Sequence, residues 1–470
     1  MSAEETIDAR PLTSRTRPAG LSRLFAALCR QLAFGSLLVR LPGDRADLYR
    51  GRFAGPAGEI VIARPLRLLL RLLTRGDIGF AESYMEGDWE TPDLPGLLDV
   101  LQLNEEHLGA GPKGLRWSRR LDRLTHRLRD NRPGMSRRNI ARHYDLGNDF
   151  YRLWLDPGLT YSAALFADRE RESLETAQVR KYARLLDDLD ARPGQHLLEI
   201  GCGWGGLAEA AARRGLRVTG VTLSREQLDY AQARIAAAGL SDRVELRLQD
   251  YRDIRGQFDH CVSIEMLEAV GEAYWPTYFQ ALRRLVRPGG RISLQVITMN
   301  EDDFLRYRRS ADFIQLYIFP GGMLPSPERL RAQADAAGLT PLQERWYGAD
   351  YAETLRRWRR AFHDQSSAVA ALGYDARFRR MWDYYLAYCE VGFDSGVTDL
   401  LQAVFEVPGP EAAGRRLSAA LPQTDESAAT KSASTTVPAG CKLTGLTGFR
   451  RIDRICRHAD DGNRVPLRSC

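Results

Sequence analysis

Residues 199–206 read Glu199-Ile200-Gly201-Cys202-Gly203-Trp204-Gly205-Gly206, and the reading of this stretch decides the fold. It follows the short apolar run His196–Ile200 and precedes an alanine-rich run over residues 207–213, so it is a glycine turn joining a strand to a helix. Glycine allows such a turn to bend sharply and lets backbone approach a ligand closely. Two common uses do not fit. A dinucleotide site asks for an acidic residue at the end of the next strand. Residues 216–223 supply that strand, but it runs out as Thr222-Leu223-Ser224, with no carboxylate before Glu226. A phosphate loop asks for a Gly-Lys-Ser/Thr ending, and none is present. The Glu199 carboxylate at the mouth of the turn suits a cationic ligand instead.

Outward from the turn, apolar runs at Val244–Leu248, His260–Ile264 and residues 291–297 predict further strands. Residues 225–238 carry Leu228, Ala231 and Ile235 at helical spacing, and residues 272–285 fill the gap before Pro288-Gly289-Gly290. Strands alternating with helices predict a largely parallel α/β sheet that binds ligands at its carboxyl edge.

The chain divides by composition. Residues 1–20 form a polar leader expected to be disordered, 21–110 a first domain, 111–135 a basic connector, 136–408 the αβ domain, and 409–470 a weakly ordered tail rich in Ala, Ser, Thr and Gly. The most apolar N-terminal stretch, 21–41, is broken by Arg23, Arg30, Gln31 and Arg40, so it is neither a membrane span nor a secretory signal. Leu24, Phe25, Leu28 and Leu32 make it an amphipathic helix. Residues 64–75 repeat the theme, either as a core-facing helix or as a surface lying on anionic lipid. The connector is more basic: between Lys113 and Arg142 stand eleven Lys/Arg against Asp122 and Asp130, with Trp117, Leu121, Leu124 and Leu128 at helical spacing. On composition alone it is a nucleic-acid site, a phospholipid-binding face or a solvated linker.

The 470 residues carry 67 Lys+Arg against 61 Asp+Glu, a net charge of +6, with 44% apolar and 27% charged residues. A mean hydropathy of −0.37 completes the profile of an ordinary globular protein and excludes collagen-like, wholly disordered and disulfide-dense classes. Seven cysteines without a CxxC pair predict no metal site and no disulfide framework, which favours a reducing, cytoplasmic compartment. Only four basic residues are lysine, at 113, 181, 431 and 442.

Several motifs taken together resemble one family. Gly201-Cys202-Gly203-Trp204-Gly205 with Thr222-Leu223-Ser224-Arg225-Glu226-Gln227 is similar to the cyclopropane fatty acid and mycolic acid cyclopropane synthases. The likeness runs from about residue 140 to 407. It includes the stretches 143–150 (HYDLGNDF), 160–162 (TYS), 263–271 (SIEMLEAVG), 317–322 (YIFPGG) and 384–390 (YYLAYCE). Residues 79–89 (GFAESYMEGDW) resemble the accessory N-terminal domain of the phospholipid-acting members.

The resemblance implies a Rossmann-like class I methyltransferase domain with a helical substrate-binding cap and a smaller N-terminal accessory domain. It implies S-adenosylmethionine as cofactor, held by Tyr161, Ser162, Glu199, Gly201, Cys202, Gly203, Trp204, Gly205, Thr222, Leu223, Ser224, Gln227, Asp250 and Tyr251. It further implies a proton acceptor, bicarbonate in the family, held near Glu268, Ile297 and Tyr351, with Cys389 as the late active-site cysteine. Asp250 as a strand-end cap and Cys389 as a buried small hydrophobe are the plain alternatives. At 163, 269 and 295 this chain has Ala163, Ala269 and Gln295 where Cys, His and His are usual. Backbone at 163 still donates, and Gln295 still hydrogen-bonds but carries no charge. These departures touch the proton acceptor's surroundings and not the methyl-transfer half.

The activity expected is transfer of a methyl or methylene carbon to the double bond of an unsaturated phospholipid acyl chain, giving a cyclopropane. The alternatives are a methyl-branched or methylene product from the same first step, or a lipid- and cofactor-binding module without catalysis. Nucleic acid is not expected as a partner, because the Asn-Pro-Pro-aromatic base-pocket motif is absent. Peripheral contact with an anionic membrane surface is expected. A homodimer is kept as an expectation, since nothing in the sequence decides the oligomeric state.

Overall fold

The computed structural model describes residues 20–43, 45–108 and 146–409. The leader up to residue 19, the basic connector and the tail from residue 410 lie outside the described residues, as do residues 143–145 of the first motif.

Helix α1 (Gly20–Cys29) stops well short of the stretch expected to be helical, and residues Phe34–Leu41 form strand β1 instead. Leu32 shares helical spacing with Leu28 but lies beyond the helix end, while Leu37 and Val39 alternate into the core as a strand requires. Strands β2 (Arg45–Arg50), β3 (Phe53–Ile62) and β4 (Trp89–Glu90) complete a sheet of order β2-β1-β3-β4. Gly35, at φ +68°, is required where β1 meets β3, because a Cβ there would lie 2.1 Å from the Pro56 carbonyl oxygen. Helix α2 (Pro65–Met85), which bends at Gly76, and helix α3 (Leu94–Leu103) cover this sheet. Buried Asn104, past α3, pins β1 in place: its Oδ1 accepts from Ala33 N at 2.7 Å and Phe34 N at 3.0 Å, and its Nδ2 donates to Phe34 O at 3.0 Å.

After helix α4 (Leu174–Asp188) the αβ alternation follows. Strand β5 (His196–Ile200), helix α5 (Gly206–Arg213), strand β6 (Arg217–Thr222), helix α6 (Arg225–Ala237), strands β7 (Val244–Leu248) and β8 (His260–Ile264), helix α7 (Trp275–Leu285) and strand β9 (Arg291–Met299) come in that order. Pairings β7–β6–β5–β8–β9 are all parallel, as the alternation predicts. Two strands not expected complete the sheet: β10 (Thr340–Trp346) and, after helices α8 (Gly348–Asp364) and α9 (Ala376–Asp394), β11 (Thr398–Glu406). The seven strands run β10-β11-β9-β8-β5-β6-β7, with β11 antiparallel to both neighbours. The register sets Gln402 opposite Gln295.

Helices α8 and α9 close over the carboxyl edge, and α9 also holds the N-terminal part. Tyr84 Oη donates to Asp383 Oδ2 at 2.6 Å, Arg377 pairs with Glu86 at 2.8 Å, and Arg380 pairs with Glu90 at 2.5 Å. Leu37, Ile60, Trp89 and Leu97 of the N-terminal part share one apolar core with Trp154, Trp358, Trp382 and Tyr385. No helix among the described residues is long and apolar enough to cross a membrane.

Candidate active site

The turn after β5 is built as its glycines require. Gly201, Gly203 and Gly205 sit at φ +86°, +50° and +82°, a region that disfavours other residues. A Cβ on Gly201 would meet Met266 Cγ at 2.7 Å and one on Gly205 would meet Ala231 Cβ at 3.0 Å, whereas nothing approaches the same position on Gly203. The middle of the turn is therefore open for a ligand and its two ends are packed shut. Cys202 turns its side chain under the sheet against Gly220, so it offers the pocket backbone only. Trp204 donates from Nε1 to Asn148 Oδ1 at 2.6 Å and packs edge-on to Tyr151.

Behind the turn, Glu199 is buried, and its Oε2 has no hydrogen-bond partner. Burial pushes its carboxyl up to about 8, against the opposing pull of Arg234 and Lys181. An orphaned buried carboxylate oxygen marks a site that a cationic or hydrogen-donating ligand would complete. Thr222 donates to Gln227 Oε1 at 2.9 Å, and Ser224 caps α6 by accepting from Gln227 N at 3.2 Å. Leu223 is half-buried between them. Asp250 does act as a cap, accepting from Arg252 N at 3.0 Å and pairing with the Arg252 guanidinium at 2.6 Å. The Tyr251 hydroxyl next to it is buried without a partner. Orphaned oxygens at Glu199 and Tyr251 and the open face of Gly203 fit a ligand with cationic and polar ends, as S-adenosylmethionine has.

The other half of the site gathers around a residue that sequence reasoning passed over. Glu265 follows β8 with φ +49°, an uncommon conformation for a glutamate. Its Oε1 accepts from Ala163 N at 2.9 Å and Gln295 Nε2 at 2.8 Å, and its Oε2 accepts from Tyr351 Oη at 2.6 Å. Gln295 is held in turn by Gln402 Nε2, which donates to its Oε1 at 2.8 Å. Three groups near the expected anion site, backbone at 163, Gln295 and Tyr351, thus converge on a side-chain carboxylate. Glu268 stands beside it, with Oε1 accepting from Ile297 N at 2.5 Å and Oε2 unpartnered. Burial and the Glu265 charge push Glu268 up to about 8.

Tyr161 Oη and Tyr385 Oη are 2.8 Å apart, and the Tyr351 ring stacks on Phe393 with centroids 4.3 Å apart. Cys389 packs among these aromatics, and burial pushes its thiol well above the usual range, so it stands as a neutral group. Ser162 is held by α4: Lys181 Nζ donates to its Oγ at 2.5 Å, and Gln178 Nε2 to its carbonyl at 2.8 Å. Lys181 and Gln178 were the other residues missed. Their signal was two polar residues on the face of α4 that also carries Ala177 and Leu185.

The family model for mycolic acid cyclopropane synthetase matches residues 132–403, more than half of the chain. The chain belongs to this family. Tuberculostearic acid methyltransferase UfaA1 of Mycobacterium tuberculosis is 45% identical over 373 residues, covering 75% of this chain and 84% of that protein. Cyclopropane-fatty-acyl-phospholipid synthase of Escherichia coli is 36% identical over 350 residues, covering 71% and 84%. Among solved structures, mycolic acid cyclopropane synthase CmaA1 complexed with SAH and CTAB aligns at 31% identity and a TM-score of 0.54, covering 57% of this chain and 98% of that one. As a member of the cyclopropane synthetase family, the chain is an S-adenosylmethionine-dependent methyltransferase of fatty acyl chains.

The raised carboxyls fix a pH signature. Below the ordinary glutamate value of 4.5 both the folded and unfolded chain hold the Glu268 proton; between 4.5 and about 8 only the folded chain does. Stability from this group is therefore full at low pH and lost as pH rises through about 8. Glu268→Gln should match the parent in thermal midpoint near pH 5 and exceed it near pH 8.5. Parallel pH slopes for the two proteins would mean that Glu268 is ionised throughout.

Proposed function

We propose that this methyltransferase alkylates the double bond of an unsaturated acyl chain and releases an open-chain, methylene-bearing product, with Glu265 as the proton acceptor. When bound, S-adenosylmethionine supplies an electrophilic methyl group. The residues of this chain hold the double bond, exclude water while positive charge stands on the acyl chain, and accept one proton. The aromatic faces of Tyr161, Tyr351, Tyr385 and Phe393 suit that transient cation.

The observation that carries the reading is the three-donor cradle on Glu265. Burial raises the Glu265 carboxyl above its ordinary value and donors to both oxygens oppose that rise, whereas Glu268 alongside, with one donor, is pushed up to about 8 and takes the proton at neutral pH. The pair then divides into an anion able to accept a proton and a neutral neighbour. Glu268, Gln295, Ile297, Tyr351 and Cys389 act in this reading as the surroundings of that base.

Ring closure and the open-chain route diverge only after methylation. If the new methyl loses its proton at once, a cyclopropane forms. If a hydride first moves from the methyl-bearing carbon to its cationic neighbour, loss of a proton from the new methyl leaves a methylene branch on the open chain. Both routes add one CH2 overall, and neither needs a reductant. The relative at 45% identity, named for methylation, supports the open chain, and the relative at 36%, named for the cyclopropane, supports the ring. The built-in carboxylate tips the balance, because it replaces the surroundings that the ring-forming resemblance implied.

The lipid is reached, we propose, through the outer face of α2. Leu66, Leu70 and Leu73 recur at helical spacing and are 67%, 62% and 40% exposed, with exposed Arg64 and Arg67 beside them. Apolar side chains flanked by guanidinium groups complement an anionic bilayer.

Fatty acids from cells expressing the enzyme with monounsaturated lipids should gain CH2 and then take up two hydrogens on mild hydrogenation; a product that resists hydrogenation sinks the open-chain reading. Glu265→Gln should lower turnover at least about 100-fold while S-adenosylhomocysteine still binds within about threefold of the parent. Unimpaired turnover would place the base elsewhere. Replacing Leu66, Leu70 and Leu73 with Gln should weaken sedimentation with phosphatidylglycerol vesicles roughly tenfold, and unchanged sedimentation would remove α2 from the membrane contact.

A further inference from the structure

Lys181 has no role in the chemistry set out above, yet it is completely buried. Lysine is among the residues least often buried without a purpose, because its ammonium must leave water. Three observations say what surrounds it. Its Nζ donates to Ser162 Oγ at 2.5 Å. Gln178, three residues earlier on the same helix face, holds the Ser162 carbonyl at 2.8 Å, and Tyr182 Oη reaches Thr160 Oγ1 at 3.2 Å, so α4 grips residues 160–162 at three points. The carboxylates acting on the ammonium belong to Glu265, Asp156 and Glu199, which come from the end of β8, the segment before residue 160 and the end of β5. One of the four lysines in the sequence thus stands among a cofactor-side carboxylate, the proposed base and the segment that carries Tyr161 and Ser162.

We propose that Lys181 is a positioning residue that fixes Ser162 in the cofactor pocket and serves as the shared counter-charge for Glu199 and Glu265. The half of this assignment that concerns Glu265 rests on the proposed base; the half that concerns Ser162 and Glu199 does not. Burial draws the ammonium down to about 8, and the three carboxylates resist that fall. The other groups facing the carboxylates are Arg234, which pulls Glu199 down, Tyr351 and Gln295, which bond Glu265, and Glu268, whose own proton is retained partly because Glu265 is charged. Asp156 is occupied by the backbone N–H groups of Gly158 and Thr160 at 2.8 and 2.9 Å and Glu265 by its three donors, which leaves Glu199, with one oxygen unpartnered, as the carboxylate most dependent on the lysine. Removing the cation while leaving its volume should let both carboxyls take up protons at higher pH.

The test pairs Lys181→Met with the intact enzyme. In Lys181→Met, kcat/KM should fall at least about tenfold at pH 7, and its acid limb should move up by roughly one pH unit, so that the deficit narrows as pH rises; one pH unit corresponds to a tenfold change in ionised fraction. S-adenosylhomocysteine affinity, measured by calorimetry, should weaken with the same narrowing. A loss equal at every pH, or none, overturns the proposal, since a merely structural lysine would not move the limb. Should that variant not fold, the parent enzyme labelled with [13Cε]lysine gives the answer, because four lysines give four signals. One should titrate at least a unit below the others and shift when S-adenosylhomocysteine is added; four signals titrating together, or none responding, overturns the proposal. If Glu265→Gln turns over normally, the base assignment fails separately, and the lysine is judged on cofactor affinity and the labelled titration.

Discussion

An ionised carboxylate taken out of water without partners is more costly than a marginally stable domain tolerates, and this chain brings Glu199, Glu265 and Glu268 to the carboxyl edge of one sheet. How each is compensated governs the pocket. Burial raises the Glu265 carboxyl, and three donors and a nearby ammonium oppose that rise. Glu268 has one backbone donor and a charged neighbour, so it keeps its proton. Glu199 is left one oxygen short, which is where a bound ligand adds most. Three chemically identical side chains thereby acquire three different sets of partners from their surroundings alone.

That arrangement depends on parts of the fold remote from the glycine turn. Gln402 reaches Gln295 because β11 enters the sheet antiparallel beside β9 in a register that faces the two residues. Tyr351 arrives from α8, whose Trp358 packs edge-on to Trp154 with centroids 5.6 Å apart. Helix α9 brings Tyr385 to Tyr161 on one side and Asp383 to Tyr84 of the N-terminal part on the other. The N-terminal sheet is therefore tied to the same helix that walls the pocket, and a shift of α9 would be felt at both places.

The parallel strands were legible because each is a short apolar run bounded by glycine or polar residues, and β7 and β8 fall on the residues expected. Strand β1 was not, since Leu24, Phe25, Leu28 and Leu32 keep a helical rhythm up to the residue where the chain changes conformation. Strands β10 and β11 pair antiparallel after three intervening helices, and local pattern carries no information about such a return. In the site, the glycine turn was readable because its backbone demands a residue type. Glu265 was not: one acidic residue after an apolar strand looks like a solvated end until Ala163, Gln295 and Tyr351, up to 102 residues away, meet it. Lys181 was one of four lysines with nothing local to single it out, and its partner Ser162 is brought to it by the tertiary fold.

The same cradle bears on how the reaction ends. A carboxylate anchored at a strand end and bonded through both oxygens cannot move toward the acyl chain as a small dissolved anion can. Its donors also spread its negative charge, which lowers its basicity relative to a carboxylate with the same burial and no donors. Slower proton removal lengthens the time for which the chain carries positive charge, and a 1,2-hydride shift needs no partner from the protein. Immediate ring closure is favoured by a strong base beside the new methyl group; rearrangement before proton loss is favoured by a weaker, fixed one. The hydrogen bonds around Glu265 fit the second kind, so the open-chain proposal is supported by the geometry of the proposed base more than by the general likeness of the fold.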